Sequence, residues 1–174
     1  MAYELNDFCV DARANLQSKP LDAALGAIAR DLARLLANEA FVKAAFAGDP
    51  PPGKTELFHD AETDFRVYAH VQAPGKTGAP HSHGASWAVY GNAMEATEMT
   101  EYVRVNAESE EAVVLKQSDH YTLLPTQTRG YGPGVIHSTA HPKKAWVVRV
   151  TGTDLDALPR YHFKRSRDRL LEGV

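Results

Sequence analysis

Up to about residue 48, apolar positions recur at three- and four-residue steps. In "LNDFCVDARANLQ" they fall at Leu5, Phe8, Val10 and Leu16. In the next stretch Leu21, Ala24, Leu25, Ile28, Leu32, Leu35 and Leu36 make one apolar stripe, the signature of an amphipathic helix. Pro20 suits the first turn of that helix, with Ser18 or Lys19 near its cap. A further short helix is expected over about 38–47, ended by "GDPPPGK".

After Lys54 the period changes to two. "DFRVYAHVQAPG" puts Phe65, Val67, Ala69 and Val71 on one side and Arg66, Tyr68 and His70 on the other. "SWAVYG", "EATEMTEYVRVNA", "EAVVLKQSDHYTLLP" and "KAWVVRVTG" also read as strands, separated by Gly, Pro, Asn or Asp clusters. Short strands following spent helices predict a mainly β fold, a small antiparallel barrel or double-sheet jelly roll. The basic tail is expected to cap one end of it. No internal repeat, low-complexity block or linker interrupts the 174 residues. One domain is therefore expected: helices over 1–50, barrel over 55–155, tail over 156–174.

Composition narrows the function classes. Hydrophobic residues are 44% and charged residues 24%, an ordinary globular balance. A net charge of −3 gives no reason to expect a nucleic-acid partner. The N-terminal segment carries early acids and does not read as a signal peptide. No stretch approaches the roughly 18 apolar residues of a membrane span, so no membrane partner is expected. A single cysteine, Cys9, excludes an intramolecular disulfide and a Cys-based zinc site. It reads as a small buried apolar residue, and a reducing cytoplasm is the expected location.

The candidate chemistry lies in the histidines. "GKTGAPHSHGASWAVYG" holds His81 and His83. Residues i and i+2 of a strand share a face, so two imidazoles there can occupy adjacent positions on one metal. Alone, such a pair is equally a polar loop. "RGYGPGVIHSTAHP" adds a second element: Gly130, Gly132 and Gly134 build a turn, and the chain then enters a strand carrying His137. A barrel can bring the two strands side by side.

These two stretches resemble the cupin family. Its first motif is Gly, five residues, His-x-His, three or four residues, Glu, then a later Gly. This chain has Gly75, His81-Ser82-His83 and Gly91. Its second motif is Pro-x-Gly, two residues, His; this chain has the close variant Pro133-Gly134-Val135-Ile136-His137, which lacks the residue between Pro and Gly. The resemblance spans roughly 55–155 and implies a double-stranded β-helix, a cupin jelly-roll barrel, with metal ligands His81, His83 and His137. At the glutamate position stand Trp87 and Ala88. Glu95 and Glu98 are expected to face solvent. A three-His site resembles the cysteine dioxygenase-like, thiol dioxygenase branch, and so does the helical N-terminal third. That implies a dioxygenase-type oxidoreductase with Fe(II), dioxygen and a small anionic substrate such as a thiol. Zinc, nickel, copper or manganese suit the same ligands. The alternatives are a metal- or small-molecule-binding cupin without oxygenase activity and a non-redox cupin enzyme. Cupin barrels often pair through exposed strands, so a homodimer is a further implication.

The resemblance is incomplete. In thiol dioxygenases a Ser-x-His-x-Tyr series faces the metal. The matching positions here are Val147, Arg149 and Thr151. If that face points inward, Arg149 could grip a substrate carboxylate and is the candidate catalytic side chain; otherwise it is an exterior ion-paired arginine. The region matching the carboxylate-reading arginine of cysteine dioxygenases, "KTELFHDAETDF", has none, which argues against L-cysteine. Arg66, Tyr68 and His70 either line the cavity or face solvent, solvent being the safer reading, and Trp87 and Tyr90 either wall a substrate pocket or pack in the core, core being favoured. His141 is expected on a different face from His137. His59, His120 and His162 are read as surface or hydrogen-bonded residues.

Overall fold

The computed structural model describes residues 2–108, 112–158, 161–165 and 171–173. Three helices lead: α1 (Leu5–Ser18), α2 (Leu21–Leu36) and α3 (Glu39–Ala45). Glu4 and Asp7 form a reciprocal capping box at the start of α1. The Asn38 side chain caps α3 by accepting from the Ala40 and Phe41 amides. The stripe on α2 is as expected, with Leu25, Ile28, Leu32, Leu35 and Leu36 buried. On α1 the buried line is Phe8, Cys9, Ala12 and Asn15. Val10, counted with the apolar set, is 57% exposed. The small residues Cys9 and Ala12 take the inward positions because α1 packs closely against α2.

The strands are β1 (Gly53–His59), β2 (Arg66–Gln72), β3 (Lys76–Thr77), β4 (His81–Ser82), β5 (Ala88–Met94), β6 (Thr97–Arg104), β7 (Leu115–Leu123), β8 (Thr128–Tyr131), β9 (Ile136–His141), β10 (Ala145–Thr151), β11 (Tyr161–Arg165) and β12 (Leu171–Gly173). One sheet runs β1-β2-β10-β5-β8. The other contains β3, β9, β4, β11, β12, β7 and β6, with β9 also paired to β6. All printed pairings are antiparallel. Eight strands, crossing between the sheets at each connection but the β6–β7 hairpin, take the orders β2-β10-β5-β8 and β4-β9-β6-β7. This is jelly-roll connectivity, a double-stranded β-helix. The tail does not simply cap an end: β11 pairs with β4, and β12 pairs with β11 and β7.

The five-stranded sheet separates two environments. Val67, Ala69 and Val71 of β2, Val89 and Ala93 of β5, and Val148 and Val150 of β10 join the helix residues in one apolar cluster. Their neighbours Tyr68, His70, Tyr90, Asn92, Val147 and Arg149 alternate to the other face, toward the second sheet. Arg66, Tyr68 and His70 therefore do not form the solvent-facing row the alternation suggested. Tyr68 is 3% exposed, and only Arg66, at the strand end, turns to surface acids, Glu56 and Asp64. Helices cover one face, so the period-two pattern reports two buried faces of different polarity.

Gly91 sits where α2 meets β5. A Cβ there would lie 2.6 Å from Leu36 Cδ1 and 2.9 Å from Leu32 Cδ2, both in fully packed side chains. Gly91→Ala is expected to destabilise the fold by about 1–3 kcal/mol through overpacking. A melting temperature equal to wild type would contradict this contact.

Candidate metal centre

Adjacent strands bring the three candidate histidines together. His81 and His137 are direct cross-strand partners on β4 and β9. His83 follows just after β4. One ligand atom from each ring lies within 4.8 Å of the others, so this three-His group could bind a metal ion. Ring centroids are 5.4 Å apart for His81–His83, 4.8 Å for His81–His137 and 4.9 Å for His83–His137. His83 and His137 are buried and His81 is half-buried.

The ring nitrogens are oriented from behind. His81 Nδ1 lies 3.0 Å from the Ala79 carbonyl and His137 Nδ1 lies 3.4 Å from the Val135 carbonyl. A carbonyl only accepts, so each Nδ1 carries the proton and each Nε2 carries the lone pair. Burial, with smaller contributions from His81 and Arg149, pushes His137 down to about 3, so its ring is neutral at neutral pH. Tyr131 stacks on His137 at 4.1 Å with 6° between planes. Tyr131 donates to the Tyr121 hydroxyl, which donates to Glu101 Oε1 at 2.8 Å; Arg129 holds the same oxygen at 2.8 and 3.0 Å. Burial raises both phenols, Tyr121 to about 12, so Tyr131 is a neutral platform for the imidazole.

The other candidates separate clearly. Trp87 packs in the helix-side core, as read from the sequence. Tyr90 does more than pack. Its hydroxyl lies 3.3 Å from His83 Nε2 and 3.4 Å from His137 Nε2. Glu95 occupies the turn between β5 and β6, exposed and paired with Lys143 at 3.4 Å; neither it nor Glu98 belongs to the histidine group. His141 does share the inward side of β9 with His137, contrary to expectation. Residues i and i+4 of a strand face the same way, and what separates them is about 13 Å of extended chain. His141 instead meets the Thr97 hydroxyl at 3.3 Å. His59 bonds Asp64 at 2.8 Å and His120 meets Thr100 at 3.0 Å, both in exposed settings. The His162 side chain lies outside the described residues. Cys9 is buried, and burial pushes its thiol up to about 12.

Arg149 faces inward. It is cross-strand neighbour to Tyr68 on one side and Tyr90 on the other, its guanidinium carbon 5.9 Å from each ring. A cavity of about 510 Å³ opens here, lined among others by Lys54, His70, Lys76, His81, Tyr90 and Arg149. Among the described residues Arg149 forms no ion pair, and its buried Nε and the buried His70 Nε2 have no hydrogen-bond partner. Of the two places the sequence allowed His70, cavity or solvent, the structure shows the cavity. Its alternation with valines was the available signal, misread because the helices had not been placed over the valine face.

No family model and no curated protein matches the chain. Solved structures with similar folds include KdgF from a Halomonas species, 15% identical, with 56% of this chain and 74% of that chain covered at a TM-score of 0.43. The Cupin_2 domain of an XRE family transcriptional regulator from Enterobacter cloacae is 14% identical, with 57% and 93% covered and a TM-score of 0.41. A protein with a double-stranded β-helix domain from Klebsiella pneumoniae is 14% identical, with 66% and 81% covered and a TM-score of 0.44. Likeness at this level carries no activity from those proteins to this chain. No helix among the described residues is long and apolar enough to cross a membrane.

The buried imidazoles make stability depend on pH. Burial lowers His70 to about 2, His137 to about 3 and His141 to about 4, against an ordinary value near 6.5. The unfolded chain therefore takes up protons first. Their contribution is complete above about pH 6.5 and is lost as pH falls toward the folded values. Each site is expected to cost up to about 1.4 kcal/mol per pH unit in that window. Thermal melts of metal-free protein should fall steadily from pH 7 to 5, with net proton uptake on unfolding. A flat profile would mean the rings are not buried neutral.

Proposed function

We propose that this protein is a metal-dependent oxygenase that holds Fe(II) through His81, His83 and His137 and acts on a small organic anion with dioxygen. The observation behind this reading is a pairing: three convergent imidazoles, of which His81 lines the cavity, adjoin an inward-facing arginine that forms no ion pair among the described residues. The donor set fits a divalent metal, since imidazole suits iron, zinc, copper and nickel, and His81 and His137 present Nε2 lone pairs. When bound, the metal supplies open coordination positions for substrate and dioxygen and the electrons that activate oxygen.

The chain's own residues do the rest. Arg149 binds the anionic group of the substrate, its planar donors directed into the cavity and its position held between Tyr68 and Tyr90. His70, neutral at working pH, offers a ring nitrogen to the same ligand. Lys76 at the cavity wall adds positive potential that draws anions in, while Lys54 beside it is paired with Asp154 and Asp156. Ala79 and Val135 fix the ligand rings, and the apolar cluster of Ala88, Met99, Leu123 and Val147 keeps water from the inner side. A thiol bearing a carboxylate, other than L-cysteine, is the leading substrate class. A non-redox metal enzyme, using zinc or manganese, is the second reading; it is favoured by the absence of Ser, His and Tyr at Val147, Arg149 and Thr151.

Metal analysis of protein purified without added metal is expected to find close to one iron per chain, with oxygen uptake on adding a thiol such as 3-mercaptopropionate. Bound zinc, with no oxygen uptake across a panel of thiols and diketones, would sink the oxygenase reading. His81→Ala should lose the metal; full occupancy in that variant refutes the ligand set. Arg149→Gln is expected to raise KM for the anionic substrate roughly ten- to hundredfold, from loss of charged hydrogen bonds. An unchanged KM would place the anion elsewhere.

A further inference from the structure

Resting on the three-histidine reading, we infer that Tyr90 supplies a fourth ligand, its phenolate oxygen, to the same metal. The glutamate position of the first motif is filled by Trp87 and Ala88, and Trp87 turns to the helix-side core. Ala88 and Tyr90 alternate onto the inner face of β5, where both pack with Tyr131 and Val147. Two residues beyond Ala88, the longer Tyr90 side chain brings an oxygen to the histidines.

The distances identify the role. Tyr90 Oη is 3.3 Å from His83 Nε2 and 3.4 Å from His137 Nε2. Hydrogen bonds from a hydroxyl are usually shorter, about 2.7–3.0 Å. Two ligand atoms held at about 2.0–2.1 Å in a tetrahedral shell are separated by about 3.3–3.4 Å. The Tyr90 oxygen thus stands from each of the two imidazole nitrogens at the spacing of neighbouring ligands around one ion. The ring is 8% exposed and packed against His83, His137 and Tyr131, so the oxygen is held in place rather than swinging in from solvent.

Charge supports the same assignment. Three imidazoles leave a divalent ion's charge uncompensated, and no carboxylate belongs to the group. A phenolate oxygen among the ligands removes one positive charge. On coordination the Tyr90 O–H bond breaks, the metal–oxygen bond forms with the oxygen's electron pair, and the proton leaves through the cavity to solvent. No oxidation state changes in this step. Tyr90 then does the work of the missing glutamate, from the opposite sheet.

The test loads purified protein with Fe(III), whose phenolate complexes show a visible charge-transfer band. The wild-type protein is expected to bind iron and show the band. Tyr90→Phe should lose it while still binding iron, with roughly ten- to hundredfold weaker affinity in a chelator competition. Tyr131→Phe, whose hydroxyl turns away to Tyr121, should keep it. A melting curve confirms that Tyr90→Phe is folded; if it is not, the resonance Raman phenolate modes of the wild-type protein decide instead. Stoichiometric iron with no band, or a band that survives Tyr90→Phe, overturns the assignment and leaves the three histidines standing. Wild-type protein that binds no metal overturns both.

Discussion

The site depends on a sheet whose two faces are buried against different partners. On one face α2 and its neighbours bury Val67, Ala69, Val71, Val89, Val148 and Val150. Each large apolar side chain withdrawn from water there stabilises the fold by about 1.5–3 kcal/mol. That seal lets the opposite face carry Tyr68, His70, Tyr90, Asn92 and Arg149 inside a protein, at a cost in desolvation that a small barrel alone could not easily offset. Gly91 is the close-contact point of the arrangement: removing its side chain lets Leu32 and Leu36 descend onto β5.

Inside the barrel, burial and charge act together. The rings of His70, His137 and His141 are kept neutral by desolvation, and Arg149 adds to the effect at His70 and His137. Neutral imidazoles are the form that coordinates metals, and a cation without an acidic partner is the form that receives anions. The Glu101–Tyr121–Tyr131 chain behind His137 takes its negative charge to Arg129 at the surface, away from the cavity. On the cavity side Arg149 forms no ion pair among the described residues, and Asp156 is paired with Lys54.

Local patterns were legible where one periodicity met one environment. The α2 stripe, the alternating strands and both histidine stretches could be read directly, because helical and extended spacings fix which side chains are neighbours. The pattern misled where neighbours came from distant sequence. Val10 looked like a core residue until α1 met α2 along Cys9 and Ala12. Tyr68 and His70 looked solvent-facing because alternation reports two faces without saying what covers each. His141 was set aside for the wrong reason: it shares the inward side with His137 but lies too far along the strand. The very short β3 and β4, and the tail strands β11 and β12, exist through pairing with β9 and β7, which no local propensity announces.

The sequence by itself determined the helical first third, the mainly β remainder and the spacing of His81, His83 and His137, since these depend on residues within a few positions of one another. Only the tertiary structure decided that β4 and β9 meet at His81 and His137, that Arg149 turns inward, and that Tyr90 reaches the histidines from the facing sheet. These are contacts between residues tens of positions apart. They follow from strand register and from which face the helices cover, and both are settled only when the whole core packs.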